Sequence, residues 1–178
     1  MQPDRIESDR RWGEQRHLPW LQVGKHSLFD GPRGGETLAQ LFGGSSRLVV
    51  YRFLFGAEEH SACGSFLDSA VAHLERCDVA LVAVSPAPMA RIAAFKRRMG
   101  WKFHWLSSVE NPFDELRHRD APPGVTAFYK DEWGDVFQTY TCHGRGLAPL
   151  VGAYTFLDLA PQGAACVLAA NQSNQLIA

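Results

Sequence analysis

Apolar residues fall along this chain in two rhythms, and their alternation sets out the elements. Leu48 to Phe55 (LVVYRFLF) is a run of apolar and aromatic side chains broken only by Arg52. A run of that kind suits a central strand buried on both faces of a mostly parallel sheet. Gly56 ends it, and Ala57-Glu58-Glu59-His60-Ser61 reads as a polar loop that delivers Cys63 to the start of a helix. From there Phe66, Ala70, Val71 and Leu74 recur at helical spacing and give that helix one core-facing stripe. Asp78 to Ser85 (DVALVAVS) is a second buried strand. Pro86-Ala87-Pro88 then opens a second helix, with Ser85 as its expected cap, Ile92, Phe95 and Met99 facing inward, and Gly100 closing it.

On either side of this block the pattern weakens. Residues 1–16 are charged and read as a flexible arm, while residues 17–23 suit a short edge strand that tolerates Pro19. Two Gly-rich turns flank a short helical piece from Glu36 to Phe42. Trp101 to Leu106 alternates as a short strand does, and residues 107–124 form a polar loop. Val125 to Lys130 and Asp135 to Thr141, joined across Asp131-Glu132-Trp133-Gly134, predict an antiparallel hairpin. A last helix is expected over 147–157, followed by a patternless tail from 161 to 178. The order strand–helix–strand–helix–strand–strand–helix (β-α-β-α-β-β-α) makes the first two strands parallel neighbours through a right-handed crossover. That is a thioredoxin-like α/β domain over residues 17–160, a central mixed sheet flanked by helices, with an N-terminal extension. By fold-level analogy its sheet order is second, first, third, fourth strand.

Composition narrows the function classes. The chain has 178 residues, 46% of them hydrophobic and 21% charged, with a net charge of −1. This is the composition of one globular domain, with no global field to attract nucleic acid or anionic lipid. No run approaches the roughly 18 apolar residues of a spanning helix, and the first 16 residues are too polar for a secretory signal. The four cysteines, Cys63, Cys77, Cys142 and Cys166, never form CxxC, which fits a reducing, cytoplasmic setting rather than a disulfide framework. Arg91, Lys96, Arg97 and Arg98 on the second helix read as a solvated face.

The expected sheet order puts several chemistry-bearing residues on one rim: Cys63 after the central strand, Ser85 at the end of its parallel neighbour, Val125 and Thr126 at the start of the third strand, and Cys142-His143 at the end of the fourth. Ligands in open α/β sheets gather at such an edge. Cys77 belongs to the opposite edge. Cys142 lies two strands, about 10 Å, from the central strand. A disulfide wants Cα atoms within roughly 7 Å, so a Cys63–Cys142 bond requires movement.

Cys63 reads in two ways, as a thiolate nucleophile or as a small residue closing a helix start. A helix dipole contributes about 0.3–1 kcal/mol, under one pKa unit, and leaves a thiol near 8. Glu58 and Glu59 push the other way, so a cation is required, and His60, Arg52, His118 and Arg119 are the candidates. His60-x-x-Cys63 and Cys142-His143 also bring four borderline metal ligands to one rim, but their spacing is not that of a zinc site, and neither a metal nor a cofactor is expected.

Several stretches resemble a known family. LPWLQVGK, TLAQLFGGSSRLVVYRFLFG, DVALVAVSPAPMARIAAFKRRMGWKFHWLSS, FYKDEWGDVFQTY and RGLAPLVGAYTFLDLAPQG are similar to a bacterial thioredoxin-like family catalogued as domain of unknown function 899, over residues 17–163. The resemblance implies a fold related to thioredoxins and peroxiredoxins. Many relatives carry a C-P-x-C-like pair after the central strand; here Ser61-Ala62-Cys63-Gly64-Ser65-Phe66 keeps the first thiol and lacks the second. Dithiol exchange needs that second thiol. The spacing from Gly56 to Cys63 matches a peroxiredoxin P-x-x-x-T-x-x-C loop, with Gly56 and His60 in place of its Pro and Thr, and Gly124-Val125 stands where a thioredoxin presents its cis-proline.

Two functions follow. One is a single-cysteine thiol oxidoreductase or peroxidase in which Cys63, assisted by His60, meets a peroxide, thiol or disulfide. An external thiol, or Cys142 as a resolving thiol after rearrangement, then reduces it. Ser85, Thr126, Arg119 and His143 would bind the substrate. The other is a redox-inactive thioredoxin-like binding module that uses the same rim. Neither involves nucleic acid or membrane, and both leave a homodimer open.

Overall fold

The computed structural model describes residues 20–53, 59–109 and 124–143, with residues 59–65 described in their backbone course. Eight strands form one sheet among the described residues. In chain order they are β1 (Leu21–Val23), β2 (Leu28–Gly31), β3 (Gly34–Thr37), β4 (Arg47–Arg52), β5 (Val79–Ser85), β6 (His104–Ser107), β7 (Gly124–Lys130) and β8 (Val136–His143). The helices are α1 (Leu38–Leu41), α2 (Glu59–Glu75) and α3 (Met89–Met99). Across the sheet the order is β1-β8-β7-β4-β5-β6-β2-β3.

The centre of that order, β5-β4-β7-β8, is the one expected by fold-level analogy, with β4 and β5 parallel and β7 antiparallel to β4. Strand β6 extends it, parallel to β5. Successive right-handed crossovers that step in one direction put their helices on one face. Accordingly Leu67 of α2 and Ile92 of α3 share a core with Tyr51, Ala83 and Trp105. Alternate residues of the same strands, Leu48, Val50, Val82 and Val84, form the second core with Leu38, Leu41 and Phe42 around α1. Two buried faces explain why β4 and β5 read as unbroken apolar runs.

Local chemistry ends the elements. Thr37 and Gln40 form a capping box at the start of α1, each side chain satisfying the other's backbone N–H. Gly100 closes α3 at φ 71, as its position predicts. Between α2 and β5, Asp78 takes a left-handed φ of 59. Its carboxylate accepts from the Ser46 N–H at 2.9 Å and from the Ser46 hydroxyl, and these bonds hold it below the usual carboxylate range. Arg47 Nη2 donates to the neighbouring Cys77 carbonyl at 2.5 Å, which pins this turn to the amino end of β4.

Several expectations are corrected. Ser85 does not cap α3; it completes β5, and Pro88 stands at the cap without a side-chain bond. The Gly-rich stretch before α1 is a β2–β3 hairpin rather than turns alone, joined to β6 through Asp30↔Ser107. The central strand ends at Arg52, and α2 begins at Glu59, inside the stretch read as a polar loop. A glutamate in a first turn complements the helix dipole, and this favours the earlier start. Residues 1–16, Arg119, the expected 147–157 helix and the 161–178 tail lie outside the described residues.

Candidate functional site

The carboxyl end of β4 meets the start of β7 and the end of β8 in register, and the rim is built from these rows. Arg52 pairs with Gly124, and Gly124 with His143. One step inward Tyr51, Val125 and Cys142 align; one further, Val50, Thr126 and Thr141. Side chains alternate between faces along each strand, so Arg52, Thr126, Thr141 and His143 lie on the α1 side and Cys142 on the α2–α3 side.

Arg52 is 2% exposed, a guanidinium buried at the end of the central strand. Its Nη2 lies 3.5 Å from Nδ1 of the exposed His143, and His143 Nε2 lies 3.5 Å from Thr141 Oγ1. With arginine as the donor, Nδ1 is the accepting nitrogen of the ring. Gly124 makes the approach feasible. A Cβ there would collide with His143 Nδ1 and sit 3.0 Å from the Cys142 carbonyl oxygen.

The remaining rim residues separate by burial. Thr126 is buried, with its hydroxyl 3.3 Å from that of Thr141. Ser85 is fully buried; its hydroxyl donates to the Phe53 carbonyl at 2.5 Å and accepts from Trp105 Nε1 at 3.0 Å. Cys142 is buried beside Tyr51 and Phe53 in the α2–α3 core, and burial pushes its thiol up, against hydrogen bonds from Tyr140 and Val125 that pull it down. Cys77 is exposed on the opposite edge. His60 and Cys63 are three residues apart in α2. Cys63 is the fifth residue of α2, so it falls in the second turn, one turn deeper than its sequence surroundings suggest. The fold thus brings Arg52 and His143 together and gives Ser85 and Thr126 partners inside the protein.

Sequence reasoning named Arg52 as a candidate cation but missed its contact with His143. The bare position at Gly124, noted only as a departure from a proline, was the available signal. Among the described residues no cluster of three or more His, Cys, Asp or Glu side chains is placed to hold a metal ion. No helix among them is long and apolar enough to cross a membrane.

The mixed sheet with helices after its central parallel strands is a thioredoxin-like fold, and solved structures share it. Peroxiredoxin Q of Xanthomonas campestris superposes with a TM-score of 0.57 at 13% identity, covering 75% of this chain and 91% of that one. A thioredoxin-like protein of Porphyromonas gingivalis gives 0.52 at 15% identity, with coverage of 72% and 86%. The peroxidoxin BcpB of Mycobacterium tuberculosis gives 0.51 at 13%, with 69% and 86%. The chain itself belongs to the family described as bacterial protein of unknown function (DUF899), whose model matches residues 4–175. No curated protein sequence matches it.

Proposed function

We propose that this protein is a single-cysteine thiol peroxidase or oxidoreductase acting through Cys63. The observation that carries the reading is the placement of Cys63 early in the helix that follows the central strand, on the edge where Arg52 is buried. The likeness to peroxiredoxins supports the same chemistry.

Magnitudes decide what the thiol needs. The dipole of α2 supplies about 0.3–1 kcal/mol. A cation at about 8 Å, at an effective dielectric of 20, would supply about 2 kcal/mol, or roughly 1.5 pKa units. A nearby cation is therefore what Cys63 needs to reach a thiolate at neutral pH, and His60, three positions before it in α2, is the nearest such residue in sequence. The thiolate attacks one peroxide oxygen, so an S–O bond forms as the O–O bond breaks. The leaving oxygen takes up a proton and departs as water or an alcohol. Cys63 is left as a sulfenic acid, oxidised by two electrons. An external thiol displaces its oxygen as water, forming a mixed disulfide, and a second thiol releases Cys63 as the disulfide leaves.

Alkylation of Cys63 followed against pH, with C63S as the blank, tests this. The expected apparent pKa lies below the free-thiol value of about 8.5, with peroxide consumption that C63S abolishes. A value at or above about 8.5 without peroxide turnover leaves the binding-module reading in its place. That alternative draws on the missing second cysteine and on His143, the exposed member of the rim.

A further inference from the structure

Three of the large hydrophobic side chains that stand exposed among the described residues belong to one edge of the sheet: Trp20 at 55%, Leu21 at 63% and Trp133 at 77%. Single exposed apolar residues are ordinary, but several gathered on a sheet edge mark a contact surface. The edge strand is β1, which ends the sheet beside β8. Edges are commonly guarded by charged side chains, and Trp20-Leu21-Gln22-Val23 carries none. Just past it Lys25 Nζ pairs with the Asp135 carboxylate at 3.0 Å, so those two charges offset each other. Glu132, exposed beside Trp133, stands where a polar rim belongs. An edge strand without charge offers little complement to an acidic or a basic partner; it suits an apolar surface of its own kind.

Both indoles are held in place before any partner arrives. The Trp20 ring lies 5.2 Å from Tyr129 and 6.3 Å from Phe137, its neighbours on the β7–β8 hairpin. The backbone beneath Trp133 is fixed by Asp131, whose Oδ1 accepts from the Trp133 N–H at 3.0 Å and from the Asp135 N–H at 2.8 Å. The Asp131 N–H donates to the Asp135 carbonyl at 3.0 Å, and Gly134 closes the turn at φ 80. Aromatic anchors that are already ordered lose little freedom on binding, and tryptophan is enriched among the residues that dominate interfaces.

The register supplies the partner. Leu21 lies opposite Gln138 and Val23 opposite Val136, so β1 runs toward the 131–135 turn, with Trp20 at its far end and Trp133 at the near end. A second copy laid antiparallel against β1 reverses that order. Its Trp20 then comes alongside the first copy's Trp133 turn, and the reciprocal contact forms at the same time. From β8 across β1 to the neighbouring strand is two strand spacings, about 10 Å, a gap that two indoles span. A surface that meets itself in this way is isologous and closes as a two-fold dimer. At about 150–250 Å² for an aromatic side chain, the exposed parts of the two indoles offer roughly 200–330 Å² per copy, a substantial share of the about 800 Å² of a standard interface. Leu21 and Gln22 lie between them.

We propose that this edge is the interface of a two-fold dimer of this chain: β1 pairs antiparallel with β1 of a second copy, and Trp20 of each packs against Trp133 of the other. The dimer is independent of the chemistry assigned to Cys63.

Sedimentation velocity of the full chain across a concentration series, beside W133A, L21K and L28K, tests it. The wild type is expected to sediment at twice the monomer mass of 19.8 kDa. L21K sets like charges against each other across the axis, and W133A removes an anchor from an exposed tip. Each should weaken the dimer about a hundredfold, because one substitution acts twice across the axis. Leu28 is 53% exposed in β2, near the other end of the sheet, so L28K should leave the dimer intact. Thermal melts of the same samples separate dissociation from unfolding, and W133A should keep the melting temperature of the monomer. A wild type that stays monomeric throughout, a dimer that W133A and L21K leave unchanged, or one that L28K disrupts as strongly overturns the proposal.

Discussion

Gly124 and His143 meet across the β7–β8 pair because glycine leaves the strand bare where the imidazole lies. Gly124→Ala is therefore expected to force the ring away from Arg52 and to cost about 1–3 kcal/mol, the usual penalty for crowding a packed site. A urea midpoint measures the loss, and the ring-proton shifts of His143 report the displacement. Cys142 makes a second prediction at this scale. Burial raises its thiol above the ordinary 9.0, so the folded state holds the proton more tightly than the unfolded state. The stabilisation is fully present below 9.0 and is lost as pH rises through the folded value. Cys142→Ala should flatten that alkaline fall in a Tm-versus-pH series, and wild-type Cys142 should resist alkylation at neutral pH until the protein unfolds. Strand order was enough to put Cys142 on the rim. Whether its sulfur faced solvent or core depended on α2 and α3 covering that face, a tertiary fact that no local pattern in TYTCH carries.

Helix α3 was legible from end to end because its signals are local: prolines before it, an inward stripe through Ile92, Phe95 and Met99, and Gly100 after it. Gly100 at φ 71 leads to a prediction of its own. Gly100→Ala puts a Cβ into left-handed backbone and should cost about 1–2 kcal/mol, read as a lower Tm. At the other end of β5, Asp78→Ala should lower Tm more than Asp78→Asn, since Asn tolerates the left-handed φ and keeps an acceptor for Ser46. The acid side has a sign as well. The depressed Asp78 carboxyl contributes stability above its ordinary 3.8 that is lost as pH falls through the folded value. The β2–β3 hairpin was hidden because Gly34-Gly35 argues against a strand, and its attachment to β6 runs through residues 77 positions apart, Asp30 and Ser107. Ser85 was misread as a cap for the same reason: its partners Phe53 and Trp105 are 32 and 20 residues away.

At the scale of the molecule, two apolar runs, Leu48–Phe55 and Asp78–Ser85, were enough to place the parallel centre of the sheet, and the hairpin after Gly124 placed its antiparallel side. Of the short outer strands, β1 and β6 fall in or across stretches whose pattern predicts strands, residues 17–23 and Trp101–Leu106, whereas β2 and β3 lie in a stretch that reads as Gly-rich turns. The proposed site draws on the same topology: a central strand that ends in a buried arginine, followed by a helix with a cysteine in its second turn. The most direct test of that account is mass spectrometry of the full-length protein after about one equivalent of hydrogen peroxide, with a sulfenic-acid trap, scoring all four cysteines. The account predicts that Cys63 is trapped first, ahead of the exposed Cys77 and well ahead of the buried Cys142. Oxidation of Cys77 with Cys63 left as a free thiol would contradict it.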